Sequence, residues 1–202
     1  MEVGNVINTS SFLERLKAVV NTISPVSKED MALLPPGMVL SVKKKSNLLE
    51  QGNVCKNICF VTKGFFRMFY VDMEGNEINN RFTAADNFIV DFQSFLTQMP
   101  SRYYWQAMQD SEVLIFTFEE VQKLYATSPA WEKFGRLIAE QVYLELNERV
   151  EMFQFMSAPQ RYEHVLSTRP ELFNQISQFH LSSYLGVKPE SLSRLRKRLL
   201  HK

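Results

Sequence analysis

The chain has 202 residues, of which 45% are hydrophobic and 12% aromatic, and its formal net charge is +1. This composition supports one large or two small buried cores and excludes an intrinsically disordered chain. No apolar run reaches the roughly 18 residues of a membrane span, and the N-terminal residues lack the layout of a secretory signal. We therefore expect a soluble, cytoplasmic protein with no membrane partner.

The first predicted element is an amphipathic helix over residues 9–23, followed by a short helix over 27–34. Between residues 36 and 118, β-prone runs alternate with turns rich in Gly, Asn and Asp. The segment from Asp72 to Asn76 is typical of a hairpin turn because Gly75 can adopt a positive φ. This stretch therefore predicts an antiparallel barrel or sandwich.

A short helix over 119–126 precedes a long predicted helix over 130–156. The apolar band of the long helix is too wide for one neighbour. We expect one face to pack on the β-domain and another to pair with the same helix of a second subunit. A core helix without a dimer role is the alternative. The candidate dimer contacts are Ile138, Val142, Leu146, Val150 and Phe153.

The segment Ser157-Ala158-Pro159 breaks the helical pattern and is the candidate domain boundary. Residues 157–202 contain eight Lys or Arg and three Asp or Glu, whereas residues 1–156 carry a net charge of −4. A basic end on a slightly acidic body indicates a polyanionic partner for that end. A solvated basic terminus would give the same charge pattern.

The end of the chain predicts two helices joined by a tight turn. Ser177 can cap a helix over about 178–185, Gly186 can form a left-handed turn, and Pro189 suits the start of the next helix. Docking in the DNA major groove requires such a unit with a polar, basic outer face. An αα-hairpin with a solvated charged face is the alternative. The predicted inward-facing residues of the second helix are Leu192, Leu195 and Leu199.

The outer face of the second helix carries residues that suit DNA bases. Glu190 can accept a hydrogen bond from cytosine N4, and Arg194 can donate two to guanine O6 and N7. Ser193 can bond to a base edge or a phosphate, so we predict base contacts by these three residues. Phosphate contacts fix the register without reading sequence. Their predicted residues are Ser182, Ser183, Lys188, Ser191, Arg196, Lys197 and Arg198, with Lys202 as a further candidate.

The segment LSSYLGVKPESLSRLRK resembles the helix-turn-helix of Crp/Fnr-type transcription regulators. In that family the second helix carries an E-x-x-S-R or R-E-x-x-x-R reading set. Glu190, Ser193 and Arg194 match the first form. Pro189 stands where the second form has its leading Arg, so the resemblance implies an operator different from that of cyclic-AMP receptor proteins.

The likeness covers nearly the whole chain. The runs LLEQG and FVTKGFFR and the turn after Asp72 are similar to the family's β-roll effector domain. The resemblance implies an α+β fold, with an N-terminal antiparallel β-roll (a double-stranded β-helix) and flanking helices, a long dimerisation helix and a C-terminal helix-turn-helix domain. The implied boundaries are 1–128 for the effector domain, 129–156 for the dimerisation helix and 157–202 for the helix-turn-helix domain.

Two departures from the family pattern bear on function. Cyclic-nucleotide binders hold the ribose with Gly-Glu and the cyclic phosphate with Arg-Ser or Arg-Ala, whereas this chain has Val90-Asp91 and Ser101-Arg102. The arginine stands one residue late, and such a shift in a strand turns a side chain to the other face. We expect an effector other than a cyclic nucleotide, and a pocket filled by aromatic side chains such as Trp105. The candidate effector-pocket residues are Asp91, Ser101 and Arg102.

The second departure is at the C-terminus, where the chain stops directly after the second helix. The resemblance therefore implies a wingless variant, without the usual β-hairpin wing and its phosphate contacts. Cys55 and Cys59 do not stand at the positions of the cluster-binding cysteines of the oxygen-sensing branch. We expect two reduced, partly buried thiols and no metal site or cofactor.

Together these features predict a non-enzymatic transcription regulator. It would be a homodimer, controlled by an unknown effector, that binds a pseudo-palindromic operator in double-stranded DNA, with RNA polymerase as a further expected partner. One alternative is a cyclic-nucleotide or small-molecule sensor that acts through protein contacts. A cupin-type metalloenzyme would need histidine ligands on barrel strands, but His164, His180 and His201 all lie outside the β region.

Overall fold

The computed structural model describes residues 9–200 and the side chains of residues 10–198. Lys202 therefore lies outside the described residues, and the side chain of Leu199 is outside the described side chains. The chain forms two compact units. The first contains the described residues up to Met68 together with Phe82–Glu140, and the second contains Phe69–Arg81 together with the described residues from Gln141 onwards.

Along the sequence the strands follow the first two helices and precede the last six, and one helix interrupts them. The helices are α1 (Thr9–Ile23), α2 (Lys28–Met31), α3 (Phe92–Thr97), α4 (Phe118–Thr127), α5 (Pro129–Phe155), α6 (Ala158–Thr168), α7 (Leu172–Gln175), α8 (Gln178–Leu185) and α9 (Pro189–Leu200). The strands are β1 (Met38–Val42), β2 (Asn47–Leu49), β3 (Asn57–Lys63), β4 (Phe65–Val71), β5 (Glu77–Ala84), β6 (Phe88–Ile89), β7 (Tyr104–Ala107) and β8 (Ser111–Thr117).

The strands form two four-stranded sheets, in the orders β1-β8-β3-β6 and β2-β7-β4-β5. Strands distant in sequence pair with each other: Met38 of β1 lies opposite Ile115 of β8 in an antiparallel register. Cys59 of β3 lies opposite Ile115 on one side and Ile89 of β6 on the other. The predicted α+β fold with an antiparallel β-roll is therefore confirmed.

The two sheets share one apolar core. Phe60 and Leu114 come from the first sheet, Phe66 and Trp105 come from the second, and all four are fully buried. Helix α1 adds Leu16 and Val20 to the same cluster, and the start of α5 adds Trp131 and Phe134. Since burial of one such side chain stabilises the fold by about 1.5–3 kcal/mol, this cluster is the main source of stability of the first unit.

The structure differs from the sequence predictions at three short helices. Helix α2 ends earlier than predicted, because Leu34 precedes Pro35 and a residue before proline disfavours the helical conformation. Helix α3 lies between the candidate pocket residues Asp91 and Ser101, where no helix is predicted, and the side chain of Asp91 caps its N-terminus. Helix α7 lies between α6 and α8, in a stretch for which the sequence predicts no helix.

Helix α5 has 27 residues and begins at Pro129, close to the predicted range. Ser128 precedes it with a fully buried side chain, and Ser157 begins the next helix after it. Among residues 9–200, no helix combines the length and the apolar character that a membrane crossing needs.

Two glycines with positive φ provide a matched stability test. A Cβ on Gly64 (φ +118°) would lie 2.0 Å from Ser111 Oγ and 2.9 Å from Ser111 Cα, whereas a Cβ on Gly75 (φ +85°) would meet no atom within 4 Å. We expect Gly64→Ala to lower the free energy of unfolding by about 2 kcal/mol more than Gly75→Ala, because only Gly64→Ala adds overlap to the cost of positive φ. Urea denaturation measures both losses. Equal losses would contradict the close approach of the two segments.

Candidate nucleic-acid interface

Helix α8 and the turn after it have the predicted geometry. Ser177 caps α8 by accepting a hydrogen bond from the His180 N–H at 3.2 Å. Gly186 ends the helix in the left-handed conformation, with φ 64° and ψ 41°. The Val187 N–H donates to the Ser182 carbonyl at 3.0 Å, the six-to-one bond of a Schellman turn. The tight turn between two helices is therefore confirmed.

Helix α9 follows at once and begins at Pro189. Leu192 is buried and Leu195 is half-buried, as predicted for the inward face. They face a small core that α6, α7 and α8 also build. Its most buried members are Val165, Leu172, Leu181, Leu185 and Leu192.

The predicted base-reading residues come together on one side of α9. Glu190 and Arg194 are exposed and four residues apart, and Ser193 is half-buried beside them. Residues three or four apart are neighbours on a helix surface. Lys197, also exposed, continues this stripe by one further turn. The result is a polar and largely basic ridge on the outer side of the helix.

The predicted phosphate contacts divide into two groups on α9 and its turn. Lys188, Lys197 and Arg198 are exposed, so their charges are available to a ligand. Ser191 and Arg196 are half-buried, and Arg196 stands one turn after the buried Leu192.

Two predicted phosphate contacts on α8 lie elsewhere. Ser182 is 1% exposed, and its hydroxyl donates to the Phe179 carbonyl. The Ser183 hydroxyl donates to the Glu77 carbonyl at 2.8 Å and accepts from the Asn79 N–H at 2.9 Å. These bonds tie α8 to strand β5 within the second unit. The structure therefore does not group these serines with the exposed cations of α9, and both hydroxyls would have to give up these bonds to reach a phosphate.

Sequence reasoning missed two arginines that bind α8. Arg149 of α5 donates to the Tyr184 carbonyl at 3.0 Å, and Arg161 of α6 donates to the Leu185 carbonyl at 2.9 Å. Both arginines stand outside the helix-turn-helix segment, so no local pattern indicates these bonds.

The candidate dimer residues on α5 do not share one environment. Ile138 packs against the core of the first unit. Val142 is half-buried, while Leu146 and Val150 are 50% and 51% exposed. The Phe153 ring lies beside Gly186 of the turn. Further exposed apolar residues on this helix are Tyr143, Leu144 and Phe155.

Of the candidate effector-pocket residues, Asp91 and Ser101 are paired and Arg102 is apart. The Ser101 hydroxyl donates to the Asp91 carboxylate at 2.6 Å, and both residues are buried. The same carboxylate accepts from the Ser94 N–H, while Ser101 Oγ also accepts from the Tyr103 N–H at 2.9 Å. Arg102 is exposed. Asp91 thus closes the α3 loop of its own chain.

The first unit also contains an apolar cleft with about 460 Å³ of empty volume, part of it open to solvent. Glu120 is the charged residue in its lining, and the Thr117 N–H donates to that carboxylate at 2.8 Å. Among the described residues that line it, the cleft therefore offers no cation to a phosphate. Its apolar lining includes Leu16, Ile58, Phe88, Val121, Leu124 and Trp131.

The two cysteines are buried thiols. Burial raises the pKa of Cys59 to about 12 and also raises the pKa of Cys55. A protonated thiol is a poor metal ligand and a poor nucleophile. Among the described residues, no group of three or more His, Cys, Asp or Glu side chains lies close enough to hold a metal ion.

Comparison with known proteins agrees with this geometry. The model of the cyclic nucleotide-binding domain family matches residues 39–128. FixK2 from Bradyrhizobium japonicum has 15% identity and a TM-score of 0.67, over 82% of this chain and 85% of its own. A Crp/Fnr-family transcriptional regulator from Thermus thermophilus has 16% identity and a TM-score of 0.63, over 81% and 86%.

A third similar structure is the c-di-GMP-responsive global regulator CLP from Xanthomonas campestris. It has 16% identity and a TM-score of 0.67, over 95% of this chain and 92% of its own. No curated protein matches the sequence significantly. The chain shares the fold of these three structures, so the resemblance seen in the sequence is confirmed for the fold.

The cyclic-nucleotide site of a Crp/Fnr effector domain needs a carboxylate for the ribose and a buried cation for the cyclic phosphate. At the corresponding positions this chain has a carboxylate already bonded to Ser94 and Ser101, and an exposed Arg102. Trp105 is fully buried, and Phe92 and Tyr103 pack against the same core. These two positions therefore do not offer a cyclic nucleotide a free carboxylate and a buried cation.

A mutant cycle tests the structural role of Asp91. We expect Asp91→Ala and Ser101→Ala each to lower the free energy of unfolding, with a coupling of about 1.5–3 kcal/mol in the double variant, because a hydrogen bond to a charged group is lost only once. The matched control, Arg102→Ala, should change it by less than about 0.5 kcal/mol. Cyclic AMP or cyclic GMP should leave the melting temperature unchanged. If a cyclic nucleotide raises the melting temperature and Arg102→Ala abolishes that rise, the chain binds cyclic nucleotides through Arg102.

Proposed function

We propose that this chain is a dimeric transcription regulator that binds a pseudo-palindromic operator in double-stranded DNA. The observation that carries this proposal is the exposed ridge of Glu190, Arg194 and Lys197 on α9, directly after a left-handed turn. A helix fits the major groove of B-form DNA, where base edges present distinct donors and acceptors. The outer face of α9 offers the side chains that read such edges.

Each residue of the ridge has a separate role in this proposal. Arg194 donates two hydrogen bonds to a guanine, and Glu190 accepts one from the N4 amino group of a cytosine. Ser193 contacts a base edge or a phosphate beside them. The exposed cations Lys188, Lys197 and Arg198 bind phosphates and set the register. Ser191 and Arg196 contact DNA phosphates at the margin of the interface.

The dimer would form through helix α5. Leu146 and Val150 are apolar and about half exposed on one side of this helix. Exposed apolar residues at helical spacing are typical of a helix-pairing surface. A two-fold dimer places its recognition helices in successive major grooves, so the half-sites should lie about 34 Å apart.

The β-roll would receive the controlling signal. Because the Asp91 region does not suit a cyclic nucleotide, the effector is of another class. A regulator of this kind acts on the chromosome, which places it in the cytoplasm, and contact with RNA polymerase is a further expectation for an activator.

Base reading and phosphate binding can be separated with two variants of α9. We expect Arg194→Ala to relax base preference at one operator position per half-site by about 1–3 kcal/mol. Lys197→Ala should weaken binding to all duplexes by the same factor. It should also reduce the slope of log K against log salt by about 2 per dimer, since each phosphate contact contributes about 0.9. An operator is first selected from random duplexes, and fluorescence anisotropy then measures both variants.

Equal weakening of all duplexes by Arg194→Ala would refute its base-reading role. If the unmodified chain retards no duplex at low salt, the proposal of DNA binding fails, and a sensor that acts through protein contacts becomes the better account.

The dimer surface is tested by one residue on each side of α5. Leu146→Glu should convert the dimer to monomers and weaken operator binding, because it places charge in the apolar seam. Leu144→Glu is the matched control: Leu144 is also exposed, but two residues correspond to about 200° around a helix. Sedimentation equilibrium measures the monomer–dimer equilibrium of both variants. Dissociation by Leu144→Glu instead of Leu146→Glu would assign the seam to the other face.

A further inference from the structure

Two arginines and one phenylalanine surround the turn of the helix-turn-helix. Arg149 and Phe153 stand one turn apart on α5, and Arg161 stands on α6. The Arg149 guanidinium lies 4.9 Å from the centroid of the Phe153 ring, and the Arg161 guanidinium lies 5.0 Å from the same centroid. Contacts of this kind between a cation and a ring are favourable, more so when they are shielded from water. We call these three residues the turn clamp.

The turn clamp holds the C-terminal end of α8. The last carbonyls of a helix lack partners within the helix and carry its negative dipole end. Here Arg149 Nη2 donates to the Tyr184 carbonyl and Arg161 Nε donates to the Leu185 carbonyl. Arg149 also lies 4.1 Å from the ring centroid of Tyr184. Two fixed cations therefore bind the two residues that precede Gly186.

The third member of the clamp touches Gly186 itself. A Cβ at this position would lie 2.6 Å from Phe153 Cε1, so the ring contacts the backbone of the turn. Arg149 extends the contact to strand β5: Nη2 also donates to the Asn79 carbonyl at 3.0 Å, and Nε donates to Asn80 Oδ1 at 2.9 Å. Together with the Ser183 bonds to β5, these contacts fix α8 at both its side and its end.

The clamp is separate from the core that folds the helix-turn-helix. Leu172, Leu185 and Leu192 are fully buried among the helices α6 to α9. The three clamp residues are not among the buried side chains of that core. Loss of the clamp should therefore loosen the direction of α8 and α9 more than it unfolds them.

We infer that Arg149, Phe153 and Arg161 are positioning residues that fix the direction of the recognition helix relative to the C-terminal half of α5, and thereby set the half-site spacing that the dimer accepts. This inference rests on the proposed function, because spacing has a meaning only for a dimer on DNA. In such a dimer α5 joins the two subunits, so its angle to α9 determines the distance between the two recognition helices.

The test compares Arg149→Gln with Arg136→Gln, an arginine on the same helix that is exposed and pairs with Glu140. Hydrogen exchange of the amides of residues 177–187 should rise about tenfold in Arg149→Gln, because charge-assisted bonds to the carbonyls are lost. Exchange in the sheet β1-β8-β3-β6, which Arg149 does not contact, should not change, and Arg136→Gln should match the unmodified chain. Ser183→Ala, a milder change, should raise exchange in the same segment.

The DNA arm uses the selected operator and two versions in which the half-sites are moved one base pair closer or further apart. Arg149→Gln should bind the selected operator about tenfold more weakly, and its preference over the shifted operators should fall, since a looser unit tolerates altered spacing. The affinity and spacing preference of Arg149→Lys should lie between those of the unmodified chain and Arg149→Gln. An ammonium group cannot donate to all three oxygens that Arg149 contacts with the geometry of a guanidinium. A residue that served stability alone would not alter the spacing preference.

Unchanged exchange over residues 177–187 in Arg149→Gln would overturn the inference, with Ser183→Ala as the control that exchange in this segment responds to a lost contact. Faster exchange with an unchanged spacing preference would also overturn it, because the clamp would then hold α8 without setting the spacing. If the unmodified chain binds no duplex, the proposed function fails and the spacing role fails with it, whereas faster exchange would still establish the hold on α8.

Discussion

The carbonyl groups at the end of α8 impose the constraint on which the C-terminal unit depends. A helix cannot satisfy its own last carbonyls, and burying them unpaired costs free energy. The left-handed turn at Gly186 satisfies some of them from within the chain. Arg149 and Arg161 satisfy two more from outside. The direction in which α9 leaves the turn follows from how this helix end is closed.

This closure makes α5 more than a connector. Arg149 binds α8, and its neighbour Val150 is half exposed on the proposed dimer face. A change in how two α5 helices pair would therefore move a residue that holds the recognition unit. An effector can shift such an equilibrium only by as much as its binding free energy differs between the two arrangements. Arg149 and Val150 are adjacent, so a change in the pairing of the α5 helices at Val150 can reach α8 directly through Arg149.

The sequence predicted the elements whose signals are local. Helix periodicity predicts α1 and α5 within one or two residues, and Ser177, Gly186 and Pro189 mark the helix-turn-helix because capping and left-handed turns depend on near neighbours. Contacts between distant segments have no such signal. In the sequence Ser183 resembles an ordinary surface serine, yet its hydroxyl bonds to strand β5, more than a hundred residues away. For the same reason the bonds of Arg149 to β5 could not be predicted.

The Asp91 loop shows why a position matched to a family does not carry the family's chemistry with it. A carboxylate holds a ligand only if its lone pairs are free when the ligand arrives. In this chain the Ser94 N–H and the Ser101 hydroxyl already occupy the Asp91 carboxylate, inside a buried loop. A ligand would have to replace both bonds and also lose the hydration of its own polar groups. The residue order Asp-Phe-Gln-Ser, a helix cap followed by its donor three residues later, is a local signal for the structural role that the pocket prediction overlooked.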